Sequence, residues 1–249
     1  MTSKLTLLAL AVSGLLLGPA AADGPKLDPE TRFDQGLTHL RDGRVDQAIE
    51  AFKAAVKGDA KNAYFHKGLG QAYLAKREWS KAADAFRQAL EVNPYYADVH
   101  NDLGTALLLG GKREEARQEL LAAYNDPTFA TPEVAARNLG QSYLDERNYG
   151  EAYTWFRTTV QRNKTYADGY LGLADALAAQ QRFDEALVQL EAAKKELPDS
   201  LPIAMALGEA CFKAGRFNEA RTYFEELARK DPGGRHGRRA LERLRDFPR

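Results

Sequence analysis

Thiol chemistry is nearly absent from this chain. Its 249 residues hold one cysteine, Cys211, so neither an intramolecular disulfide nor a cluster of thiolate ligands can form. An excess of charge is missing too. The 35 basic residues are balanced by 35 acidic ones, which argues against a polyanion as the main partner, and no nucleic acid is expected. No phosphate-cradling glycine loop, no paired cysteines and no H-E-x-x-H helix occur. Long apolar runs are also lacking. Leu5 to Leu17 is 13 residues interrupted by Thr6, Ser13 and Gly14, short of the roughly 20 that a bilayer crossing needs.

What is plentiful is alanine, leucine and charged helix formers, in a chain that is 44% apolar and 28% charged. They recur at a fixed interval. Gly36, Gly70, Gly104, Gly140 and Gly208 are spaced by 34, 34, 36 and 68 residues, and Ala174 stands at the skipped position. Twelve residues after each comes an alanine: Ala48, Ala82, Ala116, Ala152, Ala186 and Ala220. Four residues later stands Phe52, Phe86, Leu120, Phe156, Leu190 or Phe224. A pair of short antiparallel helices cannot bury an apolar stripe alone, so such units stack into a continuous core. The small residues mark close backbone approach, and the Phe or Leu fills the groove beside them.

Leu69-Gly70, Tyr73, Ala82, Phe86, Ala89 and Pro94 together resemble the tetratricopeptide repeat pattern. The resemblance implies an all-α fold, a right-handed superhelical solenoid of antiparallel helix pairs. Six repeats are expected at 29–62, 63–96, 97–132, 133–166, 167–200 and 201–234. Turns are expected at Asp42-Gly43, Arg77-Glu78-Trp79, Gly110-Gly111, Arg147-Asn148-Tyr149 and Gly215. The third repeat ends in a longer connector, Asn125 to Pro132, where Thr131 is placed to cap the next helix and Pro132 to open it. Residues 235–249 read as a C-terminal capping helix with an apolar stripe of Ala240, Leu241 and Leu244. A basic tail meeting lipid headgroups is the rival reading of that segment.

Residues 1–22 read as a secretory signal: Lys4, an apolar run, the break at Gly18-Pro19, and an A-x-A site before Asp23. Residues 23–28 form a linker. An exported, periplasmic protein is therefore expected; whether the segment is cut or retained is left open by the residues.

No cofactor, no metal and no catalytic site is expected. His66 and His100 hold the same position in consecutive repeats, near enough to share an ion. No third ligand is in phase, so filling of an inter-helix slot is the preferred reading. Cys211, three residues after Gly208, is read as a packing residue.

In the tetratricopeptide family the concave wall built by the first helix of each repeat binds peptides. The resemblance places Tyr64, Lys67 and Gln71 on that wall from repeat two, and Asn101, Asp102 and Thr105 from repeat three. Arg137, Asn138 and Gln141 follow from repeat four, and Asp168 and Asp175 from repeat five. Amides can bond a peptide backbone, and Lys67 or Arg137 can pair with a carboxylate. Asp98 and Asp102 stand where the family's two-carboxylate clamp places Lys or Asn, so that clamp is not expected.

Asn101-Asp102-Leu103-Gly104, Glu114-Glu115-Ala116, Leu121 to Asp126 and Arg137-Asn138-Leu139-Gly140 are similar to the central repeats of type IV pilus assembly pilotins. That resemblance implies a non-catalytic adaptor for a protein partner such as an outer-membrane secretin. Pilotins are lipoproteins; no cysteine follows the apolar run here, so no lipid anchor is expected. The alternative is a self-associating scaffold whose groove is filled by its own chain or a second copy.

Overall fold

The computed structural model describes residues 27–247, so the expected export signal and most of the linker lie outside the described residues. Among them the chain forms thirteen α-helices. Six hairpins follow in order: α1 (Pro29–Arg41) with α2 (Val45–Gly58), α3 (Ala63–Ala75) with α4 (Trp79–Val92), and α5 (Ala97–Leu109) with α6 (Arg113–Asn125). Then come α7 (Pro132–Asp145) with α8 (Tyr149–Arg162), α9 (Ala167–Ala179) with α10 (Phe183–Glu196), and α11 (Leu201–Lys213) with α12 (Phe217–Lys230). A last helix, α13 (Arg235–Arg245), packs on α12 and α11.

All six hairpin turns close the same way. One residue in each is left-handed: Gly43, Arg77, Gly111, Arg147, Gln181 and Gly215, with φ between 61° and 80°. The amide after it reaches back to the first helix, as from Arg44 to the His39 carbonyl at 2.8 Å and from Asn148 to that of Tyr143 at 2.9 Å. These bonds satisfy carbonyls that the helix end would otherwise leave open.

The small residues work as their spacing implies. A Cβ on Gly70 would lie 2.5 Å from the Phe86 ring, and one on Gly208 would lie 2.6 Å from that of Phe224. The Phe52 ring is wedged between Gly36 of its own repeat and Gly68 of the next, so one aromatic locks two repeats together. In the fifth repeat a buried Ala174 is matched by the smaller Leu190.

First helices lie side by side along the array: α1 meets α3, α3 meets α5, and so on to α13. Second helices of neighbouring repeats stand further apart and are bridged by side chains, as from Arg87 on α4 to Glu115 on α6 at 3.1 Å and from Arg162 on α8 to Tyr124 on α6 at 3.1 Å. The first helices therefore line the inner wall, and the second helices stand behind them.

The long connector is held by Phe129, which is buried against Ala97, Ala123 and Ala135. Asp126 fixes its bend by accepting from the Thr128 amide at 2.8 Å. Thr131 sits at the start of α7, but its side chain makes no capping bond; its carbonyl accepts from the Val134 amide instead. At the far end, Asp231 accepts from the His236 and Gly237 amides at 3.0 and 3.2 Å, which caps α13. Ala240 and Phe247 are buried there, and Leu244 packs beside them. Leu241 does not join them: it is 46% exposed, because one residue is about 100° of helix turn and carries it away from the Ala240 face. The covering apolar set is Ala240, Leu244 and Phe247, the last of which stacks edge-on at 5.1 Å from Phe212.

The inner wall as a candidate binding surface

The residues expected on the wall form a chain of contacts across four helices. On α3, Tyr64 is exposed and its ring meets that of Tyr96 edge-on at 5.3 Å. The Lys67 ammonium sits 4.9 Å above the same Tyr96 ring. Gln71 donates from Nε2 to Asp102 Oδ2 at 3.3 Å, joining α3 to α5. Burial raises the Asp102 carboxyl above the ordinary carboxylate range, against the opposing pull of Lys67 and Gln71.

From α5 the contacts pass to α7 through Asn138. Its Nδ2 donates to Thr105 Oγ1 at 3.2 Å and to Asn101 Oδ1 at 3.4 Å, while its Oδ1 accepts from Arg137 at 3.2 Å. Thr105 in turn donates to the Asn101 carbonyl at 2.9 Å. Asn138 is therefore a buried strut between repeats, with its amide spent inside the protein. Arg137 Nη2 lies 3.8 Å from Asp168 Oδ2, which carries the chain to α9. Gln141 turns along its own helix and donates to Asp145 at 2.7 Å, apart from the others. Asp175 stands further along α9 and is exposed, yet the surrounding walls raise its carboxyl, with only Lys213 opposing.

The histidine pair does not converge. His66 Nε2 is 2.9 Å from the Ala60 carbonyl and His100 Nε2 is 3.1 Å from that of Pro94, so each ring ties its helix to its own preceding connector. His100 Nδ1 also meets Glu119 Oε2 at 2.7 Å, and this carboxylate raises the imidazole above its ordinary range. No group of three or more His, Cys, Asp or Glu side chains poised to hold a metal occurs among the described residues. Cys211 is buried, and burial pushes its thiol up to about 11, away from nucleophilic character at neutral pH.

Three features escape the sequence reading. Arg117 is buried between repeats three and four, where it donates to Ser142 Oγ at 3.1 Å and Glu146 at 2.9 Å, pairs with Glu114, and stacks over Tyr143. Phe129 anchors a connector in which no helical period could reveal it. Most important for function, the wall continues past α9: Met205, Glu209 and Lys213 of α11 and Arg239 of α13 line a cavity of about 490 Å³. The signal was present, since Pro202, Glu209 and Lys213 occupy in repeat six the places that Asp168, Asp175 and Ala179 hold in repeat five.

A frame of packed helices presenting a wall of amides, hydroxyls and charges defines a protein-interaction scaffold. The tetratricopeptide repeat family profiles match residues 33–95, 67–130, 143–202 and 177–244. This chain belongs to the tetratricopeptide repeat family. It is 27% identical over 148 residues to the type IV pilus assembly protein PilF of Pseudomonas aeruginosa; that match spans 59% of this chain and 59% of PilF, less than two thirds of that relative. Among solved structures, PilW, a widely conserved type IV pilus biogenesis factor, matches with a TM-score of 0.74 and 20% identity, covering 86% of this chain and 98% of PilW. The structure of Pseudomonas aeruginosa PilF matches with a TM-score of 0.68 and 22% identity, covering 86% and 97%. At these identities the structural likeness speaks for the fold alone.

Proposed function

We propose that this chain is an exported, non-catalytic adaptor that binds an extended segment of a protein partner along its inner wall. The partner class we assign is a component of a cell-envelope assembly, such as a type IV pilus secretin. The observation that carries the reading is the succession of polar side-chain contacts that step from α3 to α5, from α5 to α7 and from α7 to α9, borne by the helices that touch one another. Amides, a tyrosine edge and a lysine held over an aromatic ring suit a peptide backbone and its carboxylates. The similarity to PilF, a type IV pilus assembly protein, supports the choice of partner class.

The test is retention of envelope proteins by the immobilised protein and by a variant carrying Tyr64→Ala, Lys67→Ala and Arg137→Ala. These side chains are spared the buried role of Asn138, so the variant is expected to fold. Loss of a secretin-class protein from the variant supports the reading. Equal retention by both proteins, or no retention by either, sinks it and favours the self-associating scaffold, which the dependence of mass on concentration would then reveal.

A further inference from the structure

Where the inner wall passes from α9 to α11 and α13, the cavity of about 490 Å³ has an apolar floor that includes Leu171, Ala178 and Met205. Its rims carry opposite charge. From α9 come Asp168 and Asp175; from α11 and α13 come Lys213, Arg235 and Arg239. Glu209 lies between them but is already engaged, accepting from Arg243 at 2.9 Å and lying 3.5 Å from Arg239. Asp168 has only the distant Arg137 at 3.8 Å, and Asp175, Lys213 and Arg235 form no ion pair among the described residues. The two rims are thus kept apart by the opening instead of closing on each other.

Fixed charges of opposite sign over an apolar floor select a ligand by its charge order. A polyanion is repelled by the α9 rim, and a uniformly basic partner by the α13 rim. A space of this volume takes one or two side chains with their backbone, within the roughly 300–1,000 Å³ of typical ligand sites. Resting on the groove reading above, the geometry points to an extended peptide segment with an apolar residue flanked by one basic and one acidic residue. The apolar side chain seats on the Leu171, Ala178 and Met205 floor, the basic one faces Asp168 and Asp175, and the acidic one faces Lys213 and Arg235.

Fluorescence anisotropy with labelled nine-residue glycine-serine peptides tests this directly. One peptide carries lysine, leucine and glutamate at alternate positions; the others carry lysine-leucine-lysine, glutamate-leucine-glutamate, and lysine-serine-glutamate. The parent protein is expected to prefer the first by about tenfold, the effect of one charge pair or one seated apolar group worth about 1.4 kcal/mol. Asp175→Lys is expected to shift the preference to the doubly acidic peptide, and Lys213→Glu to the doubly basic one. Both side chains are exposed, so the variants retain the fold, which circular dichroism checks. Equal binding of all peptides, no binding of any, or an unchanged ranking in the two variants overturns the assignment. If the envelope partner is nevertheless retained by the parent and lost from the Tyr64, Lys67 and Arg137 variant, only the cavity assignment falls. If that retention also fails, the groove reading falls with it.

Discussion

Asn138 on α7 donates to Thr105 on α5 at 3.2 Å, so a residue that reads as a peptide-binding amide is a tie between consecutive repeats. Its loss leaves a buried gap and two half-buried acceptors, on Thr105 and Asn101, without their donor. Asn138→Ala is expected to destabilise the protein by about 1–3 kcal/mol, read as a lower urea midpoint. Arg137→Ala, at a half-exposed site, is expected to leave the midpoint within about 0.5 kcal/mol of the parent. If the two variants melt alike, the strut assignment is wrong.

The turns supply a second test. Arg77, Arg147 and Gln181 hold the left-handed conformation that Gly43, Gly111 and Gly215 hold in the other repeats. An L-residue there costs roughly 1–2 kcal/mol, which the extra chain entropy of glycine offsets only in part. Arg77→Gly, Arg147→Gly and Gln181→Gly should each raise stability by about 0.5–1 kcal/mol, and Gly111→Ala should lower it. Thermal melts of the four single variants would decide.

Close packing is tested at Gly70. A methyl group there meets the Phe86 ring at 2.5 Å, so Gly70→Ala is expected to cost about 1–3 kcal/mol through overpacking. Adding Phe86→Leu reproduces the Ala174 and Leu190 combination of repeat five and should return part of that loss. A double-mutant cycle with no coupling between the two positions contradicts the fit.

His100 makes the stability of the third repeat depend on pH. Both ring nitrogens face acceptors, Glu119 and the Pro94 carbonyl, so the fold favours the doubly protonated ring and its pKa lies above the ordinary 6.5. A group raised on folding stabilises fully below its unfolded value and loses that contribution as pH climbs through the folded one. The parent should therefore weaken from about pH 6.5 upward, and Glu119→Gln should flatten this slope. Urea midpoints of both proteins across pH 5 to 9 are the measurement; parallel curves would rule the effect out.

The fold was legible because close contact between helices demands small residues at fixed spacing, and Gly36, Gly70, Gly104, Gly140, Ala174 and Gly208 display that demand openly. The site was legible by position but not by role. Periodicity places Asn138 and Gln141 on one helix, yet only in the folded chain does one amide prove to be spent between repeats and the other along its own helix. Arg117 is hidden for a related reason: its burial depends on Ser142 and Glu146, which arrive from the next repeat. Leu241 misled because it stands at the edge of the apolar arc, about 100° of helix turn from Ala240, and the packed side of α13 is the one that bears Ala240 and Leu244. Phe129 belongs to no period at all.

The close approach of first helices to one another, with second helices joined across repeats by side chains such as Arg87 and Glu115, gives the molecule a mechanical character. The inner seam behaves as the spine of a book and the second helices as its leaves. Flexing changes the gaps between leaves far more than the length of the spine. A ligand lying along that spine would keep its side-chain register as the array bends, the strain falling on bridges such as that from Arg87 to Glu115.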